Sequence, residues 1–178
     1  MTGAGGITQK ITPVLMFVGK VFGKTEETVG FYASVFKDSP GAGSTGPARA
    51  DILSRYGKGE EPDKEGPVEF ASFKLPGQEF AAMDSAWEHG FAFNEAISLN
   101  EPCDTQEEID YFWGKLSADP KAEQCGWLKD KYGLSWQVTP TILGEMMGSK
   151  DPGRIARVAQ TFLKMKKFDI AALKRAYE

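Results

Sequence analysis

Two stretches of the chain repeat one pattern of apolar and polar positions. Residues 25–36 align with residues 105–116, and in each stretch the apolar side chains recur at helical spacing. Both stretches begin with acidic residues, which favour the N-terminus of a helix. Asp104 followed by Glu107 predicts a capping box before the second helix. The apolar positions are Val29, Tyr32, Ala33 and Phe36 in the first stretch and Ile109, Phe112, Trp113 and Leu116 in the second.

A short apolar strand precedes each predicted helix, and a hairpin with a glycine turn follows it. Aligning the two hairpins places Phe80 opposite Trp136 and Ala81 opposite Gln137. The first copy also has a Gly- and Pro-rich insert with a strand of its own. The predicted strands are 14–18, 50–56, 68–75 and 79–83 in the first copy and 96–99, 126–129 and 134–139 in the second.

The pattern therefore predicts an α+β fold built from two β-α-β-β-β units, about 10–84 and 92–140. Strands of two such units can pair into one curved mixed sheet around a cavity. Residues 1–9 are expected to be a flexible N-terminus, and 10–149 to form the paired domain. Residues 150–178 are expected to be a C-terminal helical extension of the same domain.

Capping signals define this extension. Asp151 is expected to cap a helix that has Pro152 at its first position, and Asp169 to cap a last short helix. We expect these helices to cover a sheet edge or a partner subunit.

Composition is that of an ordinary soluble globule: 178 residues, 41% hydrophobic, 26% charged and a mean hydropathy of −0.35. No apolar run is long enough to span a membrane, and the N-terminus has no signal-peptide pattern. The two cysteines, Cys103 and Cys125, give no disulfide framework. These features predict a cytoplasmic protein that does not act at a membrane.

Charge is unevenly distributed. The net charge of −4 and a pI near 5.2 argue against nucleic acid as the main partner. Residues 150–178 nevertheless carry eight basic and three acidic side chains, leaving −9 for the first 149 residues. A solvated helix face is the simpler interpretation. The alternative is an interaction protein that acts through these basic helices.

Candidate chemistry is sparse. His89 is the single histidine, and neither cysteine has a histidine in sequence reach to lower its pKa. Residues 41–46 form a G-x-G-x-x-G, but they follow a predicted helix and run into a strand, so we interpret them as a loop.

Several segments resemble one family. The most specific is Cys125-Gly-Trp-Leu-Lys-Asp-Lys-Tyr-Gly-Leu-Ser-Trp-Gln-Val-Thr-Pro140. The sequence is similar to the PhnB-like proteins, also labelled 3-demethylubiquinone-3-methyltransferase-like, of the vicinal oxygen chelate (glyoxalase and bleomycin-resistance) superfamily. That resemblance implies the duplicated fold and a homodimer. The other matching segments are 11–15, 31–32, 93–98, 103–110 and 165–173.

The resemblance also implies where a divalent metal would be held: on the first and last strands of each unit. In the first unit the first strand offers no good ligand at residues 12–14, and the last strand offers Ala81, with Asp84 just beyond it. In the second unit they offer Asn94 and Glu95, and Gln137. Glu95 and Gln137 are thus the metal candidates, although a site with so few carboxylates suits a weakly held ion at most.

Four functions remain open. The first is a metal-free cavity that binds a small organic molecule, with Phe93, Trp127 and Trp136 as walls and Asn94, Glu95 and Gln137 orienting the ligand. The second is a metal-dependent glyoxalase- or dioxygenase-type enzyme, with Glu95 as ligand or general base. Methyl transfer, suggested by the family label, and the interaction protein are the others.

Overall fold

The computed structural model describes residues 9–40 and 48–178, and the chain divides into two compact units, Met1–Ala92 and Phe93–Glu178. The first unit contains β1 (Val14–Phe17), a short 3₁₀ turn (Gly19–Val21), α1 (Thr25–Lys37), β2 (Arg49–Arg55), β3 (Val68–Leu75) and β4 (Gln78–Asp84). The second contains β5 (Ser98–Cys103), α2 (Gln106–Leu116), β6 (Trp127–Lys129), β7 (Ser135–Pro140), α3 (Thr141–Met147), α4 (Pro152–Phe162) and α5 (Ile170–Tyr177).

In the first unit, four strands lie in the order β1-β4-β3-β2, with β1 parallel to β4 and the other pairs antiparallel. Helix α1 covers one face of this sheet. Phe73 and Phe80 stack at 4.8 Å between ring centroids, and Tyr32 of α1 lies 6.2 Å from Phe73. All three are buried, so this face forms the core of the unit.

A buried carboxylate fastens α1 to the sheet. Asp84, at the end of β4, accepts hydrogen bonds from the backbone of Gly23 (2.8 Å) and from the hydroxyl of Thr25 (2.9 Å) at Oδ1. Its Oδ2 accepts from the backbone of Val68 at 2.9 Å. Asp84 therefore has a structural role at the start of α1, and its oxygens are already in use.

In the second unit, three strands lie in the order β5-β7-β6, with β5 parallel to β7 and β6 antiparallel to it. The sheet residues Leu128, Trp136 and Val138 alternate onto one face and are fully buried. Helix α2 packs on the sheet and covers this face. The buried side chains of α2 are Ile109, Phe112 and Leu116.

The C-terminal helices are attached to this unit through the segment before β6. The backbone N–H of Cys125 donates to the backbone carbonyl of Met165 (2.9 Å), and that of Gly126 donates to the backbone carbonyl of Lys166 (2.8 Å). Gly126 has φ +82°, and a Cβ there would lie 2.4 Å from the Phe168 ring. Only glycine fits at this contact.

The fold class and the repeated strand–helix–hairpin are confirmed. The alignments agree with the pairing and burial in each unit, since Phe80 and Trp136 are buried and Ala81 and Gln137 each pair with the first strand of their unit. Asp151 and Asp169 cap α4 and α5 as predicted. However, the strands form two separately hydrogen-bonded sheets rather than one, and the second has one strand fewer. A loop takes the place of that strand, and the backbone N–H of its Ala118 donates to the backbone carbonyl of Lys129.

Three local predictions differ from the structure. The capping box uses Thr105 and Glu108, one residue later than expected, because the hydroxyl of Thr105 accepts from the Glu108 N–H. The first strand of the second unit is Ser98–Cys103, not 96–99. Helix α3 was not predicted. Residues 1–8 of the expected flexible N-terminus and the glycine loop 41–46 lie outside the described residues.

No helix within residues 9–40 and 48–178 combines the length and apolar character needed to cross a membrane.

Candidate functional site

The face of the second sheet opposite α2 carries a set of polar side chains, which we call the polar face. Side chains alternate along a strand, so every second residue of β5, β6 and β7 lies on this face. The strand register arranges them in rows: Ser98, Ser135 and Lys129 in one, and Asn100, Gln137 and Trp127 in the next. Pro102 also lies on this face, beside Thr139. The polar face is defined as the other residues there: Ser98, Asn100, Trp127, Lys129, Ser135, Gln137 and Thr139.

Hydrogen bonds across the strands hold part of the polar face. The amide nitrogen of Gln137 donates to the hydroxyl of Ser98 at 2.8 Å. The hydroxyl of Thr139 donates to the amide oxygen of Asn100 at 2.9 Å. Each amide therefore keeps its second polar atom available for a ligand.

A lysine at the edge of the polar face is paired with a carboxylate from the turn before β5. The ammonium of Lys129 bonds the carboxylate of Glu95. The Lys129 side chain is only 23% exposed, whereas that of Glu95 is 61% exposed. The hydrogen bond and the positive charge of Lys129 hold the pKa of Glu95 below its ordinary value.

The structure places two of the predicted site residues, Trp127 and Gln137, side by side on the polar face, and a third, Glu95, meets Lys129 at its edge. Phe93 is half-buried and Asn94 is exposed, and both lie ahead of β5. The side chain of Asn94 accepts from the N–H of Ala96 and so stabilises the turn. They are not on the polar face.

Trp136 does not lie on the polar face, which corrects its prediction as a wall of the same site. It is 1% exposed on the α2 side of β7, and its indole N–H donates to Asp130 at 2.9 Å. The physical reason is the alternation along β7: Trp136 and its neighbour Gln137 must point to opposite faces.

The sequence analysis missed five residues of the polar face. The signal was present as polar residues at every second position of two strands, which is typical of one face of a sheet. Because the first strand was predicted too early, Asn94 and Glu95 were assigned to the place that Asn100 occupies beside Gln137. The missed residues are Ser98, Asn100, Lys129, Ser135 and Thr139.

The side chains at the expected metal places do not fit a divalent cation. In the first unit these places hold Val14 and Ala81, which pair across β1 and β4 and have no donor atoms. In the second unit they hold the neutral amides of Asn100 and Gln137, whereas hard cations prefer carboxylates. Within the described residues, no three His, Cys, Asp or Glu side chains are grouped to hold a metal.

The remaining titratable candidates lie elsewhere. Burial, together with the nearby charge of Glu108, raises the pKa of Glu101 to about 7, but Glu101 alternates onto the α2 side of β5. Burial raises the pKa of the Cys103 thiol, which makes it a poor nucleophile. In the first unit, His89 Nε2 lies 3.0 Å from the Ser85 hydroxyl, and its ring is 4.9 Å from that of Phe91.

Residues 9–139 match the family described as 3-demethylubiquinone-9 3-methyltransferase. Among solved structures, a putative 3-demethylubiquinone-9 3-methyltransferase, PhnB protein, from Bacillus cereus is 40% identical, with a TM-score of 0.57 over 75% of this chain and 100% of its own. Protein PA1353 from Pseudomonas aeruginosa is 16% identical, with a TM-score of 0.53 over 75% of this chain and 98% of its own, a likeness of fold alone. No curated protein gives a significant match.

Proposed function

The chain belongs to the 3-demethylubiquinone-9 3-methyltransferase family of PhnB-like proteins, and from that premise we propose that its second unit binds a small, partly apolar organic molecule on the polar face. The observation that carries this proposal is the row Asn100, Gln137 and Trp127. It places two amides and an indole side by side on rigid strands. Ligand sites combine apolar surface with a few fixed polar groups in this way.

Two features support recognition of a ligand over a purely structural role. The cross-strand hydrogen bonds use one polar atom of the Gln137 amide and one of the Asn100 amide. Within the described residues, the other polar atom of each amide has no partner. The corresponding places in the first unit, Val14 and Ala81, are apolar, so the same strand pairing forms without polar side chains. The amides are therefore not required to build the sheet.

The polar face supplies recognition more readily than catalysis. Glu95, the predicted general base, is held ionised by Lys129, and a carboxylate with a lowered pKa is a weak base near neutral pH. Methyl transfer would in addition need a bound methyl donor, and titration calorimetry with S-adenosylmethionine tests that requirement. The homodimer and the cytoplasmic location stay predictions.

A fragment screen by NMR tests the proposal. We expect fragments to shift the backbone resonances of β5 and β7 and the indole resonance of Trp127. Gln137→Leu should weaken the best fragment about tenfold, because it leaves a ligand polar group unpaired. Gln160→Leu, at an exposed position of α4, is the matched control. If no fragment shifts these resonances, the proposal is wrong.

A further inference from the structure

One hydroxyl on the polar face is buried without a partner. Ser135 is 1% exposed, and its Oγ forms no hydrogen bond within the described residues. Buried polar groups are normally paired, and an unpaired one destabilises the folded state. Ser135 therefore offers a donor that the fold itself does not use.

The strand register places this hydroxyl next to a cation. Ser135 on the central strand pairs with Lys129 on β6 and with Ser98 on β5. Directly paired residues on one face have Cβ atoms about 5 Å apart. The row thus presents an ammonium group followed by two hydroxyls, which are donors suited to an anion.

The partner that Lys129 has in this structure can be displaced. Glu95 lies in a turn, is largely exposed and reaches Lys129 from outside the strands. Water around the exposed Glu95 carboxylate screens its attraction to Lys129, which weakens this ion pair. An incoming anion can replace the Glu95 carboxylate and also pair the Ser135 hydroxyl, which Glu95 does not.

We propose that the polar face recognises an organic carboxylate, with Lys129 as its counter-ion, Ser135 as a hydrogen-bond donor, and Glu95 as the group that the carboxylate displaces. This inference rests on the proposed function and specifies its ligand class. The polar face has one cation and no arginine among its residues, all of which the structure describes, and this suits a monoanion better than a phosphate dianion.

The position of Trp127 specifies the rest of the ligand. Trp127 and Lys129 are two residues apart on one strand, so their side chains stand about 7 Å apart on the same face. An apolar or aromatic body against the indole and a carboxylate at the ammonium would span that distance. A small aromatic or branched carboxylate meets both conditions.

The test compares sodium benzoate with benzamide, its neutral analogue of similar shape, on the full chain. Titrations follow the Trp127 indole and the Ser135 amide by NMR. We expect benzoate to bind at least about tenfold more tightly than benzamide. Lys129→Met should abolish this preference, Lys129→Arg should retain part of it, and Lys164→Met, an exposed lysine of the same unit, should leave it unchanged.

Glu95→Gln gives the second arm, since it removes the displaced group while leaving Lys129 in place. It should strengthen benzoate binding roughly two- to fivefold and leave benzamide unaffected. If Lys129→Met loses its folded spectrum, this arm decides, and an unchanged benzoate affinity contradicts the inference.

The outcomes separate the two proposals. Equal binding of benzoate and benzamide on the polar face, or a preference that survives Lys129→Met, overturns carboxylate recognition and leaves small-molecule binding standing. If neither probe shifts the polar face, carboxylate recognition is overturned, and the fragment screen alone then decides the proposed function.

Discussion

The two units share one plan and use it differently. Each has a first strand parallel to its last strand, a helix over one face and a hairpin after the helix. In the first unit the central pair on the face opposite the helix is Val14 and Ala81, and in the second it is Asn100 and Gln137. The comparison teaches that the scaffold tolerates either chemistry at these places, so the polar pair is free to serve a ligand.

An unpaired hydroxyl shows the same contrast. Ser72 in the first unit is also buried without a partner, but its neighbours across the strands are Asp51 and Ala81. A carboxylate beside the hydroxyl does not attract an anion. In the second unit the directly paired neighbour is Lys129, so the donor and a cation lie side by side.

The units also complete their sheets by different means: the first with a fourth strand, the second with a loop and C-terminal helices. Gly126→Ala should break the second arrangement. Its Cβ would lie 2.8 Å from the Val138 carbonyl as well as against Phe168, and strained φ and overpacking together should cost about 3–4 kcal/mol. Urea denaturation measures this loss.

Gly77→Ala in the first unit is the matched control, because Gly77 also has positive φ (+76°) but open space around it. It should cost about 1 kcal/mol. Equal losses for the two variants would show that the contact with Phe168 is not a constraint.

A second test uses the α2 side, where Glu101 occupies the place that the buried Leu15 has in the first unit. Because the pKa of Glu101 is raised to about 7, the folded state retains a proton that the unfolded state loses near pH 4.5. The free energy of unfolding should therefore fall as pH rises from about 4.5 to 7, by up to about 3 kcal/mol.

Glu101→Gln should flatten this part of the stability–pH curve, as measured by urea denaturation at several pH values. Glu107→Gln, an exposed glutamate of α2, is the control and should leave the curve unchanged. A slope that persists in Glu101→Gln would assign the pH dependence to another group.

The smallest expected effect concerns the polar face itself. Lys129→Met should return the pKa of Glu95 toward its ordinary value, since Lys129 supplies both the hydrogen bond and the charge that lower it. Carbon-detected NMR titration of the Glu95 carboxyl measures the shift, and Lys164→Met is the control. An unchanged Glu95 pKa would mean that the ion pair does not persist in solution, and it would weaken the contrast with the first unit.

Local signals in the sequence were sufficient for most of the fold. Asp151 and Asp169 mark their helices because a short acidic side chain pairs free N–H groups at a helix start. The strand Ser98–Cys103 was misplaced because Pro102 argues against a strand interior. The proline is tolerated inside β5 because β5 lies at the edge of its sheet.

The site was less predictable for a related reason. Gln137 and Trp127 were found, but which residues share a face depends on where each strand lies along the chain. Because β5 is Ser98–Cys103 rather than 96–99, Asn100 and not Asn94 lies beside Gln137. The pairing of Lys129 with Glu95 spans 34 residues and has no local signal. Trp136 was misassigned because its large apolar side chain suits a pocket wall and a core equally well.

The link between Cys125–Gly126 and the α4–α5 connection also bears on how the chain can be shortened. A chain ending before Lys150 would lose Met165 and Lys166 and leave two backbone N–H groups beside β6 without acceptors. It would also uncover Gln106, whose amide bonds the backbone of Phe168 and Ile170. Loss of partner binding after such a truncation would report damage to the second sheet, so the role of the basic helices is better examined by neutralising Lys150, Lys164 and Arg175 in the intact chain.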